Sequence, residues 1–370
     1  MSKKEGRKMK QDILAVAEDI DRLITLDINR RGVISALYKA AREKLGQPVV
    51  LAAASSLNNS VAPGDVVVLA TGWPDRPWIT PDIGELDGPP GAALLARSLH
   101  QALSIVPIFL IEAELQPAMK AAARGAGFAV LSPEQTLKAS KSLAPLHAAT
   151  VMSFPTDSAE AVVESQKLIS RFSPTAIISI EKGSANEKGI IHNARGMDTT
   201  ACMAKVDELI KSARQAKILT IGIGDGGNEI GMGLIAEAIR SHVPYGSRCA
   251  CPCQGGLAPS VPTDIVVPAS VSNWGAYGIA ACLAVLRSQP EVLHDEATEQ
   301  RTLREAADAG LIDGNTGYVD PGADGLPVTV HAAIITLLNQ IVSNALKPRG
   351  LALQSKSVAS KQVKLKSSKD

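Results

Sequence analysis

From residue 65 onward, short β-branched and aliphatic runs alternate with longer stretches whose apolar positions recur three and four apart. The short runs predict strands at 65–70, 105–111, 128–131, 149–153, 175–180, 218–223 and 264–268. The longer stretches predict helices at 91–102, 116–125, 133–142, 158–172, 199–215, 229–242 and 274–288. Amphipathic segments at 9–23 and 29–45, the latter stopped by Gly46, precede this block, and further helices at 296–309 and 328–346 follow it. Strand–helix alternation without a linker predicts a doubly wound α/β fold: a mainly parallel sheet, helices on both faces, and helical N- and C-terminal flanks. The expected organisation is one domain over 9–347, with residues 1–8 and the Lys-rich 348–370 as disordered tails.

Composition narrows the function. A chain of 370 residues that is 45% hydrophobic and 20% charged can bury a large core, while 3% aromatic residues give little surface on which bases could stack. Thirty-eight basic against 37 acidic residues leave a net charge of +1, so no field is available to hold a nucleic acid or a membrane. No apolar segment follows the initial Lys/Arg cluster, and no long apolar stretch free of charge, Gly or Pro is expected to span a membrane. A cytoplasmic protein acting on a small molecule is the expectation, with a homo-oligomer the one protein partnership kept open. Cys202 and Cys282 lie in apolar helical patterns. Cys249, Cys251 and Cys253 have a C-x-C-x-C spacing with no second Cys/His pair beside them in sequence, so packing next to a Gly/Pro-rich loop is the plainer reading and a metal or redox role the alternative.

Gly-rich segments at predicted strand ends carry the chemistry, because open α/β sheets bind ligands there. They are T-G-W-P with D-G-P-P-G-A (71–74, 87–92), E-K-G-S-A-N with H-N-A-R-G (181–196), G-I-G-D-G-G-N-E-I-G-M-G (222–233) and S-N-W-G (272–275). In the third, a helix starting at Glu229 would offer its N-terminus and the turn amides to an anion. Asp225, Asn228 and Glu229 would crowd a pyrophosphate, which argues against a dinucleotide. Asp225 and Glu229, one turn apart, could share a proton or hold a divalent cation; capping is the plainer role for Asp225 and Asn228. Glu181 and Arg195 place an acid and a planar cation near one strand end, and the Arg fork matches a carboxylate. Neither a G-x-S-x-G elbow nor a phosphate-loop motif is present.

In this order, these segments resemble the D-glutamate cyclase family over roughly residues 28–346. The resemblance implies closure of D-glutamate to 5-oxo-D-proline and water. On that reading Asp225 and Glu229 serve as base and acid, with Asp87 and Glu181 as further catalytic carboxyls. The amides of Gly224, Gly226 and Gly227 hold the oxyanion, and Arg195 clamps the α-carboxylate. Thr71, Gly72, Gly88, Asn193, Asn228, Ser272, Asn273 and Trp274 complete the expected substrate contacts. No cofactor is evident; Mg²⁺ or Mn²⁺ on Asp225 and Glu229 is the candidate metal. A Mg²⁺-dependent phosphotransfer or hydrolase enzyme and a non-catalytic amino-acid binding module are the alternatives.

Overall fold

A computed structural model describes residues 3–347. Seven strands, all parallel, form one sheet: β1 (Val66–Thr71), β2 (Val106–Ile111), β3 (Ala129–Val130), β4 (Ala148–Ser153), β5 (Ala176–Ile180), β6 (Leu219–Gly224) and β7 (Ile265–Pro268), in the order β3-β4-β2-β1-β5-β6-β7. Each expected strand is present, because strands buried on both faces read as unbroken β-branched runs. Twelve helices accompany the sheet among the described residues: α1 (Lys3–Ile24), α2 (Ile34–Leu45), α3 (Val49–Ser60), α4 (Pro89–Leu103), α5 (Gln116–Gly125), α6 (Pro133–Ala139), α7 (Ser158–Phe172), α8 (Val206–Gln215), α9 (Ala236–His242), α10 (Ser272–Arg287), α11 (Glu296–Asp308) and α12 (Val328–Leu346). A short hairpin, β8 (Gly322–Ala323) with β9 (Leu326–Pro327), precedes α12.

Alternate strand residues supply the two cores. Val67, Leu69, Phe109, Ile178 and Ile223 face a large cluster shared with α3, α4, α5 and α10. Val66, Val68, Ile108, Leu110 and Ile177 face the smaller cluster built by α7 and α8. This is the two-sided α/β architecture that the alternation predicts.

Strand order reverses between β1 and β5: the chain runs outward through β2 on one side and through β6 and β7 on the other. The carboxyl ends of β1 and β5 therefore flank the crevice where such sheets bind ligands.

Several expected helices start later than their periodicity suggests. The 29–45 segment becomes helical only at Ile34, because Asp27 accepts the N–H groups of Arg31 and Gly32 and holds a turn. The 199–215 segment begins at Val206. The helix expected from Glu229 begins at Ala236, since Ile230 first pairs with Lys182 and Gly231 with Pro262. At the other extreme, α1 is already helical at Lys3, within the segment expected as a tail; residues 1–2 and the Lys-rich tail lie outside the described residues. α3 was not expected, because Val49–Leu57 is buried almost all round and carries no amphipathic stripe. α12, contrary to expectation, is long and apolar enough to cross a membrane by length and composition; in the fold its Ile334, Ile335, Leu338 and Val342 are buried.

Candidate active site

Two helix starts are tied to each other beside the crevice. Asp87 accepts the backbone N–H groups of Ser272 and Asn273, each at 2.8 Å, and so closes the start of α10. Asn273 Oδ1 in turn accepts from the N–H groups of Gly88 and Gly91, at 3.0 and 2.7 Å, at the start of α4. Gly91 is required by this contact: a Cβ there would lie 2.4 Å from Asn273 Oδ1. The D-G-P-P-G-A and S-N-W-G segments thus brace one another. Trp274 is turned into the core, where its Nε1 donates to His331 Nδ1 at 3.0 Å, so it belongs to the packing and not to the cleft.

The G-D-G-G-N-E loop is braced from within. Glu229 Oε1 accepts from the N–H groups of Asp225 and Gly226, and Oε2 from that of Gly227, at 3.1, 2.6 and 2.8 Å. The amides of Gly226 and Gly227, expected to serve an oxyanion, are therefore taken by the protein's own carboxylate. Asn228 is occupied as well, its Nδ2 donating to His192 O at 2.8 Å. Gly224, the last residue of β6, lies against the Glu229 side chain, which a Cβ would meet at 2.7 Å.

At the end of β1, Thr71 is buried with its Oγ1 lacking a partner among the described residues, and the Gly72 carbonyl accepts from Lys182 Nζ at 2.8 Å. Lys182 is fully buried and ion-paired with Glu112. Its neighbour Glu181 takes the opposite direction from a left-handed backbone (φ 45°), lines the cleft and accepts from Ser272 Oγ at 2.5 Å.

Above these braces lies a cleft of about 270 Å³. Of the expected residues, Glu181, Asn193, Arg195, Asp225, Gly226 and Asn228 line it; Asp87 and Glu229, expected as catalytic carboxyls, do not, and neither do Thr71, Gly72, Gly88, Gly224, Gly227, Ser272, Asn273 and Trp274. Sequence reading missed Arg31, Asp75, Arg76, Glu85 and Asp324, which also line it. Arg31 arrives from the α1–α2 loop and pairs with Asp225 at 2.6 Å and with Asp324 at 3.4 Å. Asp324 sits at the β8–β9 turn, whose carbonyl also takes a hydrogen bond from Asn29. Arg195 is exposed at the rim and makes no ion pair among the described residues.

Carboxyl groups crowd together at and behind the cleft wall. Oxygens of Asp87, Asp225 and Asp324 lie within 4.8 Å of one another, and so do those of Glu181, Asp225 and Glu229. Burial, and then the charge of Asp225, pushes Asp87 up to about 8 and Glu229 up to about 7. The same two causes hold Glu181 and Asp324 well above the ordinary carboxylate range. Glu85 is raised by burial and then by Asp75 and Asp87. The cluster thus gathers carboxyls whose proton affinity is raised around the Arg31–Asp225 ion pair, with the exposed Arg195 at the rim.

Comparison with known proteins agrees with this architecture. A family model described as D-glutamate cyclase-like, C-terminal, matches residues 20–339. Human mitochondrial D-glutamate cyclase is 37% identical over 113 residues, which is 30% of this chain and 17% of that protein's length. The chain thus aligns with a minor part of that relative. With the family model running from α1 to α12 and taking in every strand of the sheet, the chain belongs to the D-glutamate cyclase-like family.

Proposed function

We propose that the cleft closes D-glutamate to 5-oxo-D-proline with loss of water. The observation that carries this is the meeting in one small cleft of Glu181, a carboxyl that burial and the charge of Asp225 hold well above the ordinary range, with Asp225, which is ion-paired to Arg31. The cleft is smaller than the roughly 300–1,000 Å³ of drug-sized sites, which suits an amino acid better than a nucleotide.

The reaction moves two protons from nitrogen to oxygen: an ammonium becomes an amide N–H, and a γ-carboxylate oxygen leaves as water. Asp225 takes the first proton, freeing the amine to attack the γ-carboxyl carbon as the N–C bond forms. Glu181 protonates the departing oxygen and the C–O bond breaks. The second proton follows from nitrogen to oxygen through the same pair, so the cluster ends as it began. Arg195 holds the α-carboxylate with its unpaired fork, and Asn193, whose Nδ2 has no partner among the described residues, donates to the tetrahedral oxygen. Asp87 and Glu229 act through the loops they brace.

A metal-dependent hydrolase or phosphotransfer enzyme is the second reading, supported by the two carboxylate trios. Arg31 already occupies Asp225 and Asp324, and Glu229 is spent on loop amides, so cyclisation is favoured. The test is 5-oxoproline formation from D-glutamate by the purified chain, followed by NMR, with L-glutamate as control and with or without Mg²⁺ or Mn²⁺. Product from D-glutamate supports the reading. No product under any condition sinks it; thermal stabilisation by D-glutamate without turnover would point to a binding module, and turnover only of phosphate compounds with metal to the second reading.

A further inference from the structure

The C-x-C-x-C segment finds in space the partner it lacks in sequence. His192, 59 residues before Cys251, brings its Nε2 to 3.2 Å from Cys251 Sγ and 3.5 Å from Cys253 Sγ. Cys249 Sγ lies 3.5 Å from Cys251 Sγ and 3.3 Å from Cys253 Sγ. All four atoms lie within 4.8 Å of one another, on side chains that are buried except for the half-buried Cys253.

We infer that His192, Cys249, Cys251 and Cys253 form a structural zinc site. Bond lengths of about 2.3 Å to sulfur and 2.0–2.1 Å to nitrogen place tetrahedral ligands about 3.5–3.8 Å apart, close to the separations found. A disulfide would need about 2.05 Å between sulfurs, and three cysteines cannot all pair. Four protein ligands complete a tetrahedron and leave no position for water, which makes the site structural and not catalytic. The Gly255 N–H points at Cys253 Sγ from 3.3 Å, the kind of donor that supports a metal-bound thiolate.

The site would clip a loop to the cleft. The N–H groups of Ala250 and Cys251 both donate to the carbonyl of Gly196, next to Arg195, and the His192 carbonyl is held by Asn228. Fixing the Cys loop to His192 therefore fixes the turn that carries Arg195. The metal assignment stands on the ligand geometry and is independent of the reaction proposed above.

The experiment is metal analysis of the full-length chain purified without added metal, followed by cobalt titration of the reduced, metal-stripped protein. About one zinc per chain is expected for wild type and for a Cys202→Ser control, with loss of most of it in Cys251→Ser and His192→Ala. Cobalt should give thiolate charge-transfer bands and tetrahedral visible bands. Should the variants fail to fold, wild type carries the test: chelation should expose three further thiols to a thiol reagent and lower the thermal midpoint, and zinc should reverse both. Zinc well below one equivalent together with no thiolate–cobalt spectrum overturns the inference, as does stoichiometric iron or copper on these ligands, or zinc retained in full by both variants.

Discussion

Arg31 Nη1 stands 2.6 Å from an Asp225 carboxylate oxygen, across 194 residues of chain. Among the described residues the other cations lining the cleft are Arg76, engaged with Asp75, and Arg195 at the rim, so Arg31 is the one that answers the buried acids. Replacing it by Gln should leave Asp225 buried without its ion-pair partner and lower stability by about 1–3 kcal/mol. Urea denaturation would measure the loss, and turnover should fall in the same variant; unchanged stability and turnover would remove Arg31 from the site's electrostatics.

Asp225→Asn and Glu181→Gln keep side-chain size but cannot exchange a proton at neutral pH. Each should slow 5-oxoproline formation by about 10²–10⁴-fold while circular dichroism stays native. If both turn over at the wild-type rate, the proton-transfer roles are wrong.

Glu229→Gln separates bracing from catalysis. The amide nitrogen would face loop N–H groups that now meet a carboxylate oxygen, putting donor against donor. A drop of about 1–3 kcal/mol in stability is expected, visible in the thermal midpoint. A fully stable but inactive variant would instead make Glu229 a catalytic group.

The raised carboxyls couple stability to pH. For Asp87 and Glu229 the folded value lies above the unfolded one, so folding takes up protons between the two. Their contribution is complete below about pH 4, where both states are protonated. It is lost as pH rises through about 7 for Glu229 and about 8 for Asp87. The thermal midpoint should fall as pH rises from about 5 to about 8, and Asp87→Asn, which cannot titrate, should flatten that fall. A midpoint that rises over this window contradicts the assignment.

Gly91→Ala tests the mutual bracing of α4 and α10. The added methyl would press on Asn273 Oδ1, which must move and release one or both amides. Overpacking of this kind costs about 1–3 kcal/mol, to be read from the urea midpoint.

The sheet was legible because parallel strands buried on both faces leave continuous aliphatic runs, and the Gly-rich strand ends marked the crevice. Asp225, Glu181 and Arg195 could be singled out on that basis. Arg31, Glu85 and Asp324 could not, since they come from segments without such a signature and are delivered by tertiary contacts: Asp27 sets the Arg31 turn, and Asp313 accepts the Gly325 N–H beside Asp324. Glu229 shows a different limit. A proton-transfer acid and a loop brace are the same residue type, and only the direction of the oxygens distinguishes them. His192 falls within the H-N-A-R-G segment, but its approach to the cysteines depends on folding across dozens of intervening residues.

Glu181 and Lys182 point to opposite sides of the β5 terminus, one into the cleft and the other into a buried pair with Glu112. The left-handed turn at Glu181 sets these two directions, so a shift of one position there would carry the Lys182 ammonium toward the cleft and leave Glu112 facing an acid. Insertions and deletions between β5 and the Gly183 bridge to Glu229 should thus be far more damaging than most point substitutions there. The length of this short junction is as much a part of the chemistry as the identity of its residues.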